Sequence, residues 1–225
     1  MKIKHYGVFK NGMEVLDWES LRNDKKEQSY YLPYTKEAYL NKVDTEKPSP
    51  VTRRILKEIE EIDVKKLFSI GAGIASQEYQ LKKFSKLEII VSDYNPTVLR
   101  LKEFNLFDGA IILDALKDCL PVNESYMVLF PRIDTEFEDN QLSSLFEKCY
   151  TAGIKHICII PAELLTFRII VAEIKTLLLS IIKRKPRVFC GYARSLGCFR
   201  KIWEPYYTLS DRFKTDKNIF FLRAK

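Results

Sequence analysis

From Ser49 onward, apolar and polar positions alternate in blocks, with short apolar runs separated by longer amphipathic stretches. Ser49 and Pro50 mark a helix start, and Val51, Ile55, Ile59 and Ile62 follow at near-helical spacing, which gives that helix one buried face. The run LFSI then predicts a strand, followed by a helix near Ser76 to Phe84 and a second strand in LEIIVS. Asn95 and Pro96 cap a further helix running to about Phe104, and a third strand falls near Gly109 to Leu113. YMVLF, Tyr126 to Phe130, predicts a fourth strand. A helix near Asp139 to Tyr150 stops at Gly153, and IKHICII supplies a fifth strand. Strands that alternate with helices in this way imply a parallel sheet covered on both faces.

Both ends of the chain depart from that pattern. At the C-terminus, YYTLSDRF and NIFFLRA are joined only by KTDKN, a link so short that the two strands must be antiparallel. At the N-terminus, Asn11-Gly12 lies between short mixed runs and suggests a hairpin, while Tyr30, Tyr31, Tyr34 and Tyr39 suggest an aromatic patch. Residues 1–48 therefore read as an N-terminal extension or lid, and 49–225 as the main domain. The stretch Leu164 to Lys185 approaches the length of a bilayer span. Arg168, Glu173 and Lys175 interrupt it, so it reads as a core helix with a basic C-terminal turn, and no membrane span is expected.

Candidate chemistry concentrates between Val64 and Asn95. Two apolar runs bracket the turn Gly71-Ala72-Gly73, and the second run ends on Asp93, 22 positions beyond Gly71. Glycines let a backbone turn approach a ligand closely, and the helix that follows offers unpaired N–H groups at its positive end. A carboxylate at the edge of the second strand can accept hydrogen bonds from two ribose hydroxyls. The unit is a nucleotide-binding arrangement.

Composition narrows the class only a little. The 225 residues suit one α/β domain plus an extension, and the 46% hydrophobic fraction fits a globular protein. Five cysteines form no C-x-x-C pair and only two histidines accompany them, so no zinc site is expected, and free thiols point to a reducing, cytoplasmic setting. The formal charge of +7 is compatible with nucleic acid, anionic lipid or a phosphorylated substrate and does not choose among them. No targeting segment is evident.

With the strand order and the terminal hairpin in view, the chain from about Pro50 resembles the class I S-adenosylmethionine-dependent methyltransferases. The resemblance implies a Rossmann-like, mostly parallel seven-stranded sheet with helices on both faces and a C-terminal antiparallel hairpin. It implies S-adenosylmethionine as cofactor, with Gly71, Ala72 and Gly73 beside its methionyl part, Asp93 on the ribose, and Tyr94, Asp114 and Ala115 bordering the adenine. Tyr31, in the tyrosine-rich segment, would fold over the cofactor. Two positions depart from the family pattern: Ser69 stands where an acid is often found, and Ala75 where the third glycine falls. A nicotinamide-dependent oxidoreductase shares the βαβ logic but calls for a glycine at position 76, where this chain has Ser76.

Methyl transfer asks the protein mainly to align an acceptor and remove its proton, from groups at the carboxyl ends of the parallel strands. In FPRIDTEFEDN, Arg132 is a candidate for binding an anionic acceptor and Asp134 a candidate base or orienting group. The acids Asp134, Glu136, Glu138 and Asp139 could also gather a divalent cation, although their spacing matches no known ligand set and no metal is expected. Glu163, Tyr192 and Arg194 are further polar candidates. The loop lacks an Asp/Asn-Pro-Pro-aromatic tetrad, and there is no Pro-Cys nucleophile, so methylation of base amines or pyrimidine C5 loses support. The expected acceptor is a small metabolite, sugar or biosynthetic intermediate. The alternatives are RNA, suggested by the positive charge, and a noncatalytic role in cofactor binding.

Overall fold

The computed structural model describes residues 1–9, 12–214 and 217–225. Its elements run in the order β1 (Lys2–Gly7), α1 (Trp18–Asn23), α2 (Lys36–Val43), α3 (Pro50–Glu61), β2 (Lys66–Ile70), α4 (Ser76–Lys83), β3 (Glu88–Asp93), α5 (Val98–Glu103) and β4 (Gly109–Ile112). There follow β5 (Tyr126–Pro131), a 3₁₀ turn (Ile133–Thr135), α6 (Asp139–Thr151), β6 (His156–Ile160), α7 (Phe167–Lys183), β7 (Val188–Arg194), α8 (Leu196–Trp203), β8 (Tyr207–Lys214) and β9 (Asn218–Ala224).

Seven strands form one sheet in the order β4-β3-β2-β5-β6-β9-β8. The first five are parallel; β9 runs antiparallel to both β6 and β8, so the terminal hairpin and the five parallel strands are as expected from sequence. Successive residues of a strand point to opposite faces, and the inner strands are covered on both, which is why β5, β6 and most of β9 are almost wholly apolar while the edge strand β8 is not. Leu67, Ile89, Val91 and Leu129 pack on one face with Val51, Ile55 and Ile59 of α3 and Leu81 of α4. Phe68, Val128 and Phe130 pack on the other with Leu142, Leu145 and Phe146 of α6 and Phe199 and Trp203 of α8. Ser49 caps α3 by accepting from Thr52 N at 3.1 Å, with Pro50 in the first turn.

Three local expectations change. Asn11, half of the expected hairpin turn, lies outside the described residues. β1 itself pairs with no neighbour in sequence but antiparallel to β7, with Lys2 opposite Arg194. The four tyrosines do not form one patch. Tyr39 is fully buried against Phe104 and Tyr79, Tyr30 packs on Phe9 and Trp18, and Tyr34 lies under the Arg100 guanidinium. The third correction is α7, which is not a core helix: seven of its apolar side chains are exposed, and only Ile169 and Ser180 are buried. Its inward side carries Glu173 beside Ile169 and Ser180, and Glu173 is drawn to the β1–β7 ribbon, lying 2.5 Å from His5 Nδ1, accepting from Tyr6 N–H at 3.2 Å and pairing with Arg187 at 3.0 Å.

Candidate functional site

A cleft of about 640 Å³ opens at the carboxyl ends of the parallel strands, where open α/β sheets bind ligands. Its wall includes Gly71, Ala72, Gly73, Asp93, Tyr94, Asp114, Ala115 and Arg132, all expected from the sequence, together with Glu163. Two expected residues are elsewhere. Tyr31 is outside the wall, and its neighbour Tyr30 lines it instead. Asp134 is fully buried, its Oδ1 accepting the Ala162 N–H at 2.8 Å, and burial raises its carboxyl to about 6. Tyr192 and Arg194 are also outside: Tyr192 donates to Glu138, and the buried Arg194 donates to Asp139 Oδ1 at 2.8 Å and to the carbonyls of Asp134 and Phe137.

The glycine loop of the cleft owes its shape to left-handed backbone. Gly71, Gly73 and Ala75 all have positive φ. A Cβ on Gly71 would fall 2.1 Å from Ile133 Cγ2, and one on Gly73 would fall 2.9 Å from the Arg22 guanidinium. Ala75, in the family's third glycine position, holds the left-handed N-cap of α4 at a cost of about 1 kcal/mol. Tyr39 offsets it by donating its phenol to Ile74 O at 3.0 Å and Ala75 O at 3.2 Å.

Asp93 organises the loop from below. Its Oδ2 accepts the Gly73 N–H at 2.9 Å and its Oδ1 the Asn95 N–H at 2.9 Å. Arg22, delivered by α1, places Nη2 3.6 Å from the same carboxylate, and its buried Nε has no partner among the protein atoms. Asp114 is engaged within its own turn, accepting from Leu116 and Lys117 N–H. Burial pushes the Tyr94 phenol up to about 12, so it remains a neutral donor.

The acid missing at position 69 is supplied from the next helix. Ser69 Oγ donates to Glu78 Oε1 at 2.6 Å, and Glu78, in the first turn of α4, is 1% exposed and lines the cleft. Burial raises its carboxyl to about 7. A serine inside an otherwise apolar buried strand needs a partner, which is the signal that could have found Glu78.

The facing wall of the cleft is built from distant segments. Trp18 comes from α1, Arg132 and Glu136 from the loop after β5, Glu163 from the loop after β6, and Cys190 from β7. Glu136 faces the cleft where Asp134 does not. Protein packed behind it raises its carboxyl to about 7, and the Trp18 indole N–H donates to it. Arg132 occupies left-handed backbone at φ 68°, a conformation that costs a non-glycine residue on the order of 1 kcal/mol and recurs at binding sites. Among the described residues, no three His, Cys, Asp or Glu side chains are grouped to hold a metal ion. In the acid run, Glu138 and Asp139 pair instead with Lys2 and Arg194.

This sheet order, hairpin and cleft define the class I S-adenosylmethionine-dependent methyltransferase fold, and the chain has that fold. The structure is similar to human N-acetylserotonin methyltransferase solved in complex with SAM, with 16% identity and a TM-score of 0.62 over 92% of this chain and 58% of that one. It is similar to the mitomycin 7-O-methyltransferase MmcR, with 14% identity and a TM-score of 0.60 over 92% and 60% of the two chains. It is also similar to PigF solved with SAH, with 11% identity and a TM-score of 0.61 over 92% and 62%. The chain spans about three fifths of the length of these proteins. No protein-family model and no curated protein sequence matches it.

Proposed function

We propose that this chain is an S-adenosylmethionine-dependent methyltransferase acting on a hydroxyl of a small metabolite, sugar or biosynthetic intermediate. The observation that carries the reading is the convergence, in one cleft, of the Gly71–Gly73 loop, Asp93 and Asp114 with Glu136. Residues 49–225 would form the methyltransferase domain and 1–48 an extension that closes over its cleft. The small acceptor is supported by neighbours named as methyltransferases of N-acetylserotonin and mitomycin.

The residues present fit the cofactor. A 640 Å³ cleft is in the range that encloses a ligand of that size. The Gly71–Gly73 backbone and the half-satisfied Arg22 guanidinium suit a carboxylate-bearing amino-acid end, since Arg22 Nε lacks a partner. Asp93 would accept from ribose hydroxyls, and Tyr94, Asp114 and Ala115 would border the base. Bound there, the cofactor supplies an electrophilic methyl group on a sulfonium.

The chain's own task is then to orient the acceptor and take its proton. Glu136, its carboxyl held above the ordinary value by the protein packed behind it and by Asp93, would act as the general base. Arg132 and Glu163 offer one cation and one anion to the acceptor's polar groups. Asp134 serves this arrangement indirectly by tying the loop after β5 to Ala162.

Calorimetric titration with S-adenosylmethionine tests the reading. Saturable binding is expected, weakened about a hundredfold in Asp93→Ala. No binding by the intact protein overturns the proposal. Methyl transfer into an RNA pool, with steeply salt-dependent RNA binding, would overturn the small acceptor while leaving the cofactor in place.

A further inference from the structure

The helix α7 turns its broad apolar arc outward and a mixed side, with Glu173 at its centre, inward. At about 100° per residue, Phe167, Ile170, Val171, Ile174, Leu177, Leu178, Ile181 and Ile182 share one arc of roughly 140°. Seven of these eight are exposed, Phe167 at 80%, Ile182 at 74% and Ile181 at 65%. The opposite side carries Ile169, Glu173, Thr176 and Ser180. The bonds of Glu173 to His5, Tyr6 and Arg187 fix that side against β1 and β7, so the apolar arc is turned outward by specific polar contacts.

We infer that this face lies on an anionic lipid bilayer. The charge around the arc selects that occupant. Lys175 and Arg168 project beside one edge of the apolar arc, Lys183 and Arg184 stand exposed at its C-terminal end, and the one acid of the helix, Glu173, is already paired with Arg187. An apolar stripe bordered by cations, with no exposed acid on the helix, matches the boundary between acyl chains and anionic headgroups. A second copy of the chain fits less well, because apposing two such faces brings like charges together without an acid to offset them. The helix lies on the bilayer and does not cross it: among the described residues no helix is long and apolar enough to span a membrane.

Co-sedimentation of the full chain with vesicles tests this independently of any methyltransferase activity. Binding to phosphatidylcholine vesicles containing about 30 mol% phosphatidylserine is expected, with at least tenfold weaker binding to pure phosphatidylcholine. Raising NaCl from about 0.1 M to about 0.5 M should weaken it severalfold. The double variant Ile174→Glu, Leu178→Glu changes only exposed side chains, so its circular dichroism and melting temperature should match the parent, while vesicle binding falls about tenfold or more. Charge reversal outside the arc, Lys201→Glu on exposed α8, should leave binding within about twofold. The inference is overturned if the chain ignores anionic vesicles, if the double variant binds them as well as the parent, or if light scattering shows a dimer that the double variant dissolves without any vesicle binding by either protein.

Discussion

Gly71, in the wall of the cleft, and Gly191, next to the wall residue Cys190, press on the same three-residue turn from two sides. Gly71 meets Ile133 and belongs to a loop whose other parts, Gly73, Asp93 and Asp114, come from one run of fewer than fifty residues. Gly191 meets Thr135, its absent Cβ lying 2.0 Å from the Thr135 carbonyl oxygen, and it belongs to a strand that pairs with the first residues of the chain. Arg194 and Asp134 add bonds from the same turn to β7 and to Ala162. Both sides are therefore anchored to one rigid element, but one end is assembled locally and the other from segments up to about 190 residues apart.

If the two anchors do the same work, alanine at either position should be severe, and Gly191→Ala should be the worse. At Gly191 the clash is with backbone and the φ is 116°, so nothing can turn aside; at Gly71 the obstacle is an isoleucine methyl. Losses of about 4 kcal/mol for Gly191→Ala and about 3 kcal/mol for Gly71→Ala are expected. Thermal denaturation would show these as melting temperatures lower by about 10 °C and somewhat less. A Gly191→Ala protein as stable as the parent would remove the claim that the distant end is held as tightly as the local one.

The same contrast governs what could be read from the sequence. Gly71, Gly73 and Asp93 were legible as one unit because strand, turn, helix and strand follow one another without interruption; that Asp93 accepts the Gly73 N–H was not. The five parallel strands were legible for the same reason, each being a short apolar run, and the terminal antiparallel pair from the shortness of the link between its strands. Arg22, Trp18 and Glu136 were not, because no local pattern says that α1 folds back onto the end of β3 or that the residue facing the cleft is Glu136 and not Asp134. A 3₁₀ turn moves the outward position by a residue or two, which spacing alone does not resolve. In α7 the amphipathic period was visible, but which side faces inward depended on Glu173 finding His5, 168 residues away.

The buried acid on the local side offers the next largest effect. Glu78 has its folded carboxyl raised to about 7 from an ordinary value near 4.5, so between those pH values the folded state holds a proton that the unfolded state has lost. Its contribution is full below about pH 4.5 and is lost as pH rises towards 7. Converted by linkage, the loss is on the order of 3 kcal/mol. Denaturant unfolding of the parent and Glu78→Gln between pH 5 and pH 8 should therefore converge at low pH and separate as pH rises, with the variant favoured at pH 8. Parallel stability curves would show that Ser69 and Glu78 are not coupled by a shared proton. On the distant side, Glu136→Gln should lower kcat about a hundredfold, or about 2.7 kcal/mol, and abolish the rise in rate centred near pH 7 while leaving cofactor affinity within about twofold. Equal losses in kcat and in cofactor affinity would place Glu136 in the cofactor's end of the cleft and merge the two regions.

The smallest effect asks whether the distant end keeps its shape through local signals of its own. α1, six residues long, brings Trp18 and Arg22 to the cleft, and Asp17 caps it by accepting from Glu19 N–H at 3.0 Å and Ser20 N–H at 3.2 Å. So short a helix has little stability by itself, and its position depends mainly on Leu21, which is fully buried, and on Arg22 against Asp93. Asp17→Ala removes the cap and an acid at the helix's positive end, which costs about 1 kcal/mol where a helix end stands alone. If tertiary contacts dominate, the melting temperature should fall by only about 2–3 °C and cofactor affinity by less than about threefold. A tenfold or larger loss of affinity would mean that the cap positions Arg22, and the contrast between a locally specified end and a tertiary one would then weaken to a difference of degree.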